Sequence, residues 1–331
     1  ILIVLSVAIR EARFIRTYDI KGAYLHASLS GDKVYMRLDA RVADFLVKAD
    51  PLAKQYRHAN GTILVTLDKA LYGLIQSANL WYKLIKSTLE ENGYVNKELS
   101  DRCLFIKNTN HGMIHVTVTV DDVLATSTRE SDLDDLQAIL THKFQKIVTN
   151  KVTDNDFHLN HLGIHINYNR LQGVVELSQP HYIDKLLSDN KITTGKSYPM
   201  LPETLNHKDD TPACDVDTYR SEIYRVMYLA TRTRPDILFA CSLLATRVLK
   251  PTMRDWNAYL HILQYLYTTK HLCLTFRQGT MSVSSYIDAA YNMHEDAKSH
   301  SGAACFVNDS SGAISSKSTK QKTTADSSCA A

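Results

Sequence analysis

The sequence lacks the features that would place it in several common classes of protein. Its six cysteines include no C-x-x-C pair, which argues against a zinc ribbon or a disulfide framework and is typical of a reducing compartment. The apolar stretch of residues 1–9 is too short to span a bilayer, and no basic segment precedes it as in a signal peptide. An initiator methionine is also missing, so we expect the chain to be a piece of a longer protein.

The composition is that of a globular protein with material for a core. The chain has 331 residues, and a length of about 150 residues per domain suggests two domains. Apolar residues make up 44% and charged residues 22%. The formal charge of +3 with 14 histidines is mildly basic, which is compatible with a polyanionic partner.

Hydrophobic periodicity predicts helices and hairpins along most of the chain. Spacings of three and four predict helices in residues 1–13, 70–94 and 130–144, and a further helix is expected from Pro180. Asn92-Gly93 is a C-cap signal for the second of these helices.

Alternation over residues 113–127 predicts a hairpin with Val116, Val118 and Val120 on one face and Asp121 on the other. HLGIHI at 161–166 is interpreted as one alternating strand, and a second hairpin is expected with Leu171-Gln172-Gly173 at its tip. The polar, proline-containing stretch 190–217 is the best candidate for a linker. We therefore expect α+β structure in the first two-thirds and a smaller α/β unit at the end.

Three aspartates stand at points where strands end. Asp19 follows a β-rich segment, and Asp121 and Asp122 lie at the predicted hairpin tip. Two-metal nucleotidyl transfer needs carboxylates from separate elements, with two ions about 3.5–4 Å apart, and Mg²⁺ prefers hard oxygen ligands. If these strands share a sheet, the carboxylates meet at one edge. Taken alone, each aspartate is more often a turn residue, because Asp bonds to nearby backbone amides.

Further motifs follow these aspartates in a fixed order, and together they resemble one family. YDIKGAYLHASLSGDKVYM resembles motif A of reverse transcriptases from copia-type (pseudovirus family) LTR retrotransposons. Five later segments resemble further signatures of the same family, and these are ALYGLIQSANLWY, VDDVL, HLGIHI, LSQPHYIDKLL and YLATRTRPDILFACSLL. Two more segments, YIDAAYNMHEDAKSHSGAACF and SKSTKQK, resemble the start of its ribonuclease H domain. The resemblance covers nearly the whole chain.

The resemblance implies roles for six residues. Asp19, Asp121 and Asp122 fall on the catalytic, metal-binding trio, which would use two Mg²⁺ ions with Mn²⁺ as a possible substitute. Tyr24 falls where an aromatic ring lies under the sugar and excludes a 2′-hydroxyl, although a core tyrosine is the alternative. Gln76 falls near the incoming nucleotide, and an exposed helix glutamine is the alternative. The remaining residue, Asp288, falls on the first aspartate of ribonuclease H.

The fold implied is a right-hand polymerase palm and thumb with truncated fingers. Residues 1–190 would form the palm with partial fingers and thumb, residues 191–275 the thumb or connection region, and residues 276–331 a truncated ribonuclease H-like α/β domain. The implied partners are an RNA or DNA template-primer, deoxynucleotides, and the integrase and protease of the Pol polyprotein, with no membrane. The implied location is the cytoplasm, in retroelement particles, with possible access to the nucleus.

Basic residues could contact phosphates, but their positions predict no specific role. They are Lys143, Lys146, Lys151, Arg225, Arg232, Arg234 and Arg247.

The chain departs from the family pattern at several positions. Thr119 replaces the usual aromatic before VDD, and Ile75 and Asn79 replace basic residues of the second signature. The family's fingers segment normally precedes the part that residue 1 begins, so we expect the fingers of this chain to be truncated. Ala290 replaces an acidic residue of the ribonuclease H motif, and the glutamate of the later acidic run is replaced at Ala330 or lost. We therefore expect no ribonuclease H activity.

Three interpretations remain open from the sequence. The first is an RNA-directed DNA polymerase core. The second is a catalytically inactive, degenerate retroelement fragment with residual nucleic-acid binding. The third, a metal-dependent phosphatase or nuclease that uses the same aspartates, leaves the later motifs without an explanation.

Overall fold

The structure is a computed structural model that describes residues 1–29, 33–150, 156–205, 211–212, 214–308, 311–325 and 327–328. The helices of this part of the chain are α1 (Leu2–Arg10), α2 (Ala23–His26), α3 (Ala40–Ala49), α4 (Ser77–Glu91), α5 (Glu130–Phe144), α6 (Pro180–Asp189), α7 (Val216–Arg232), α8 (Leu238–Ala245) and α9 (Met253–Thr269). The strands are β1 (Phe14–Ile20), β2 (Val34–Leu38), β3 (Ile63–Leu67), β4 (Val95–Lys97), β5 (Asp101–Thr109), β6 (Gly112–Thr119), β7 (Asp122–Ser127), β8 (Ile147–Asn150), β9 (Asp156–His161), β10 (Ile164–Asn169), β11 (Val174–Ser178), β12 (Leu274–Arg277), β13 (Ser284–Ala290), β14 (His300–Phe306) and β15 (Ser315–Lys320).

Contacts divide the chain into two compact units. We call residues Ile15–Lys151 the central unit, and Ile1–Phe14 with Val152–Ala331 the flanking unit, after their places in the sequence. All three aspartates of the predicted metal site lie in the central unit.

A six-stranded sheet in the order β4-β5-β6-β7-β1-β8 organises the central unit. Helix α5 is anchored to β1, because the Tyr18 hydroxyl donates to the Leu133 carbonyl at 2.7 Å and Arg16 donates to the Asp134 carboxylate at 2.7 Å. Side chains alternate along a strand, so Asp19 faces the side of β1 opposite Tyr18. This leaves the Asp19 carboxylate free of the α5 interface. A separate antiparallel pair, β2–β3, also belongs to this unit.

The predicted helix boundaries in the central unit follow their capping signals. Helix α4 ends at Glu91, and Gly93 takes a positive φ of 83° that favours glycine at a helix end. Glu130 and Asp132 form an acidic first turn in α5, where negative charge complements the helix dipole. The helix over 130–144 is confirmed. The helix predicted over 70–94 is confirmed from Ser77 to Glu91, but residues 70–76 are wrong as helix, because Gly73 adopts a φ of 99° and this segment forms a loop.

The flanking unit contains a four-stranded antiparallel sheet in the order β12-β11-β10-β9. The hydroxyl of the buried Tyr168 on β10 shares its proton between the carbonyls of Arg13, at 2.9 Å, and Ala8, at 3.2 Å, which fixes α1 to this sheet. The main apolar core is built by α6 to α9, with Tyr219, Leu229 and Leu263 among its fully buried members.

A three-stranded antiparallel sheet, β13-β14-β15, closes the described part of the flanking unit. The Ser242 hydroxyl on α8 donates to the Ser318 carbonyl on β15 at 2.8 Å, so α8 is hydrogen-bonded to this sheet.

Two predictions about strand continuity are wrong. HLGIHI is not one strand, because β9 ends at His161 and Leu162-Gly163 form a two-residue turn with φ values of 53° and 73° before β10. The alternation of the DD hairpin ends at Thr119, which pairs with Asp122, so Val120 and Asp121 are turn residues rather than members of opposite faces. The hairpin at residues 171–173 is confirmed.

The architecture mixes helices and strands, as the sequence predicts for the fold class. Of the predicted linker, residues 191–205 are irregular with a short 3-10 turn, but the buried Thr204 accepts a hydrogen bond from Arg247 through its carbonyl at 2.7 Å. Strand β12 pairs with β11, so one sheet crosses the predicted boundary at 190/191. The division into domains 1–190, 191–275 and 276–331 stays a prediction.

In the described part of the chain, no helix has the length and apolarity needed to span a membrane.

Candidate active site

Two hydrogen bonds hold the turn of the β6–β7 hairpin, one from the end of β1 and one from the side chain of Trp81 on α4. The Ile20 amide donates to the Asp121 carbonyl at 3.0 Å, which places the residue after Asp19 directly against the turn. The indole N–H of Trp81 on α4 donates to the Val120 carbonyl at 2.6 Å. Asp19, Asp121 and Asp122 are thus held near one another by contacts that do not involve their own side chains.

The turn carries a strained residue. Val120 has a φ of 56°, a left-handed conformation that is disfavoured for a β-branched side chain, and it is 42% exposed. A residue in such a conformation costs about 1–3 kcal/mol and persists only where surrounding contacts impose it. The Trp81 and Ile20 hydrogen bonds on either side of the turn supply those contacts.

The carboxylates influence one another electrostatically. Partial burial raises the pKa of Asp122, and the negative charges of Asp121 and Asp19 raise it further. The Lys21 ammonium forms a salt bridge with the Asp19 carboxylate. The hydrogen bond to Asp19 raises the pKa of Lys21, with Asp121 and Asp122 adding to the effect. Lys21, which the sequence did not single out, therefore interacts electrostatically with all three carboxylates.

The donor chemistry fits a divalent cation, although the side chains are not arranged around one. Among the described residues, no three His, Cys, Asp or Glu side chains stand so that they could hold a metal ion together. Carboxylate oxygens are nevertheless the hard ligands that Mg²⁺ prefers, and three carboxylates come from two adjacent elements, β1 and the β6–β7 hairpin. For metal to bind there, Asp19 has to exchange the Lys21 ammonium for the ion.

Aromatic rings lie beside the carboxylates. Tyr24 on α2 is half-buried, and its ring centroid is 4.6 Å from that of Tyr72, with the planes tilted by 40°. Partial burial raises the pKa of the Tyr72 hydroxyl, and the Asp121 charge raises it further. Tyr72 was missed by the sequence reasoning, although it lies in the same signature segment as Gln76.

Gln76 stands at the N-terminal cap of α4 and is exposed. Its side chain does not cap the helix, and none of the described hydrogen bonds involves that side chain. The structure thus packs Tyr24 against Tyr72, whose hydroxyl is influenced by the Asp121 and Asp19 charges, and gives the Gln76 side chain no hydrogen-bond partner among the described residues.

Asp288 lies in the flanking unit, exposed on β13 and opposite Gly302 of β14. Ala290 ends the same strand, and Ala330 lies outside the described residues.

Three of the basic residues named above are engaged in ion pairs within the flanking unit. Arg225 bonds Asp189 and Glu222, Arg234 bonds Asp236, and Arg247 bonds Asp255 at 2.7 Å with both partners buried. Arg234 also donates to the Thr269 carbonyl at the end of α9, at 3.0 Å. These guanidinium groups hold the helices together, and this structural role explains their presence without a contact to phosphate. Lys151 lies outside the described residues.

Comparisons with known proteins identify the family. A family model described as reverse transcriptase (RNA-dependent DNA polymerase) matches residues 1–202. The chain is 30% identical over 298 residues to the retrovirus-related Pol polyprotein from transposon RE1 of Arabidopsis thaliana, covering 89% of this chain and 19% of that protein. It is 30% identical over 236 residues to a transposon Ty5-1 protein of Saccharomyces cerevisiae, covering 68% of this chain and 72% of that protein.

A solved foamy viral protease–reverse transcriptase in complex with dsDNA matches with a TM-score of 0.49 and 10% identity, over 96% of this chain and 54% of that chain. The chain belongs to the reverse transcriptase family, and its relatives are Pol polyproteins of copia-like retrotransposons. The resemblance seen in the ordered motifs is confirmed. The chain spans 19% of the RE1 polyprotein and 23% of the TNT 1-94 polyprotein of Nicotiana tabacum.

Proposed function

We propose that the chain is the RNA-directed DNA polymerase core of a copia-type retrotransposon, which extends a DNA primer on an RNA or DNA template. The observation that carries this proposal is the hydrogen bond from the Ile20 amide to the Asp121 carbonyl, since it joins the two elements that bear the carboxylates. Family membership supports the reaction class. The nearby ring of Tyr24 supports a nucleotide as the substrate.

In this proposal, Asp19 and Asp121 would hold two Mg²⁺ ions, and Asp122 would assist beside them. The chemistry that such ions would supply is activation of the primer 3′-oxygen and neutralisation of charge on the triphosphate and the leaving pyrophosphate. The protein's own contribution is positioning. The β1 end and the hairpin turn fix the carboxylates, while Tyr24 lies under the sugar and excludes a 2′-hydroxyl. Gln76 would face the incoming nucleotide.

The wider assignment follows the family. The six-stranded sheet with α4 and α5 would be the palm, and β2–β3 with α3 the remaining part of the fingers. The region of α7 to α9 would be the connection. Strands β13 to β15 would belong to a ribonuclease H domain, in which Asp288 falls on the first aspartate. The template-primer and the other Pol domains are the proposed partners, in cytoplasmic particles.

A degenerate fragment that binds nucleic acid without catalysis is the second candidate. One observation favours it: Ile75, which stands where the family has a lysine, is 99% exposed. A fully exposed isoleucine supplies neither charge nor packing, so a basic contact to the triphosphate is lost at that position. Asn79 and Thr119 depart from the family in the same region.

Primer extension on poly(rA)/oligo(dT) with Mg²⁺ or Mn²⁺ separates the two candidates. If the polymerase proposal holds, the wild-type chain extends the primer. In Asp121→Asn the extension rate falls by about 10²-fold or more, because a negatively charged metal ligand is removed where charge develops during the reaction. The matched control is Asp135→Asn, the same change at an exposed position on α5. Primer-template binding without extension by the wild-type chain would instead establish the degenerate fragment.

A further inference from the structure

The Tyr24–Tyr72 ring pair is fixed by the backbone on both sides. Directly after α2, the Ala27 carbonyl accepts a hydrogen bond from the Ala70 amide at 2.9 Å, and Ser28 forms an isolated antiparallel bridge with Lys69. The chain that carries Tyr24 and the chain that carries Tyr72 therefore run side by side over these residues. Ring contact follows from this pairing, even though 48 residues separate the two tyrosines in sequence.

The loop after Tyr72 is folded into a defined shape. Gly73 has a φ of 99°, a conformation that favours glycine, and the Leu74 amide donates to the Leu71 carbonyl at 3.2 Å. The buried Ser77 hydroxyl at the start of α4 donates to the same Leu71 carbonyl at 2.6 Å. The loop thus holds Tyr72 from the helix side, while the Ala70–Ala27 pairing holds it from the strand side.

The exposure of the two rings links the pair to the choice between deoxynucleotides and ribonucleotides. Tyr24 is half-buried and Tyr72 is 52% exposed, so Tyr72 covers one side of a ring that otherwise borders solvent. A ring that excludes one hydroxyl group must keep its orientation, because a small displacement would open the space it fills. Contact with a second ring restricts that displacement, since tilted aromatic pairs prefer a limited set of geometries.

We propose that Tyr72 is a specificity-determining positioning residue, which holds the Tyr24 ring in the orientation that rejects ribonucleotides. This inference rests on the proposed polymerase function and on the sugar-facing role of Tyr24. Tyr72 acts through Tyr24 and takes no part in the reaction. The part of Tyr72 that matters is its ring face, and the hydroxyl is dispensable for the positioning.

The test compares dTTP with UTP in single-nucleotide extension of oligo(dT) on poly(rA), as the ratio of their kcat/KM values. Tyr72→Leu removes the ring, and we expect the preference for dTTP to fall by about three- to tenfold, in line with the strength of aromatic pairs. Tyr72→Phe retains the ring and restores the ratio to within about twofold of the wild type. Tyr35→Leu changes a tyrosine of similar exposure on β2 and leaves the ratio unchanged.

A ratio in Tyr72→Leu equal to that of the wild type overturns the inference. So does a Tyr72→Phe variant that loses discrimination as strongly as Tyr72→Leu, since the hydroxyl rather than the ring would then act. A general structural role would lower extension with both nucleotides and leave their ratio unchanged. The selective change in the ratio is therefore the informative result.

A second measurement separates failure of this inference from failure of the proposed function. Absence of wild-type extension contradicts the polymerase proposal, and the inference is then tested by equilibrium binding of dTTP and UTP with Ca²⁺ in place of Mg²⁺. Tighter binding of dTTP that is lost in Tyr72→Leu and kept in Tyr72→Phe supports the role of Tyr72. Equal binding of both nucleotides by the wild-type chain overturns it.

Discussion

Replacing Trp81 by phenylalanine tests how the turn of the DD hairpin is held. Trp81 is 2% exposed, donates its indole N–H to the Val120 carbonyl at 2.6 Å, and packs its ring 5.2 Å from that of Phe144. Phenylalanine keeps most of the packing but cannot donate the hydrogen bond.

The expected loss of stability has two contributions. Roughly 40 Å² less apolar surface is buried, which at about 25 cal/mol per Å² costs about 1 kcal/mol. The unpaired carbonyl adds about 1–2 kcal/mol, towards the lower end of the usual range because the turn is partly exposed. We therefore expect Trp81→Phe to lower the free energy of unfolding of the central unit by about 2–3 kcal/mol.

Urea denaturation followed by circular dichroism measures this loss, and hydrogen exchange with mass spectrometry locates it. Faster exchange is expected in peptides of β6 and β7. The control is Trp256→Phe on α9, which is the same change at the chain's other tryptophan, half-buried in the flanking unit. A loss below about 0.5 kcal/mol, with unchanged exchange in the hairpin, would show that the indole hydrogen bond does not hold the turn.

Three further predictions concern the turn, a buried histidine and the cation beside the carboxylates. Val120→Gly should raise the urea midpoint by an amount equivalent to about 0.5–2 kcal/mol, because relief of the left-handed strain exceeds the entropy cost of glycine. Burial lowers the pKa of His161 to about 4, below the roughly 6.5 of an unfolded histidine, so stability is fully present above pH 6.5 and is lost as the pH falls towards 4. The loss between pH 7.5 and 5 should be about 1–2 kcal/mol, and His161→Leu should flatten this dependence in urea titrations at each pH. Lys21→Gln should tighten Mn²⁺ binding about two- to fivefold in electron paramagnetic resonance titrations, because the ammonium no longer competes for Asp19, whereas Lys69→Gln should leave it unchanged.

Each of these predictions has a clear contrary result. A lower midpoint in Val120→Gly would mean that the side chain contributes more than its backbone strain costs. An unchanged acid dependence in His161→Leu would assign the acid sensitivity to other groups. Weaker Mn²⁺ binding in Lys21→Gln would mean that the lysine supports the carboxylate arrangement instead of competing with the ion.

The local alternation of apolar and polar residues predicted the strands that carry the candidate site. Alternation placed the hairpin of β6 and β7, and Asp19 was correctly expected near the end of a strand. These features depend on neighbouring residues, so periodicity is sufficient to find them. The turn itself was placed one step too late, since Val120 leaves the strand pattern by adopting a positive φ that tertiary contacts impose.

The contacts that complete the site could not be predicted in the same way. Trp81 looked like an ordinary member of an apolar helix stripe, and its hydrogen bond to Val120 spans 39 residues. Tyr72 and Lys21 lie within the quoted motif segments, but nothing in their spacing distinguishes them there from ordinary surface residues. By contrast, the turn at Leu162-Gly163 was predictable, because a glycine between two alternating runs is typical of a two-residue hairpin turn.

Addition of a single nucleotide, with pyrophosphate measured in the same sample, tests the central claim most directly. Wild-type chain, oligo(dT) on poly(rA), dTTP and Mn²⁺ should give one pyrophosphate for each primer extended, and Asp19→Asn and Asp121→Asn should each reduce both products together by about 10²-fold or more. Equal product from the wild type and the two variants, or no extension by a wild-type chain that binds the primer-template, would contradict the account.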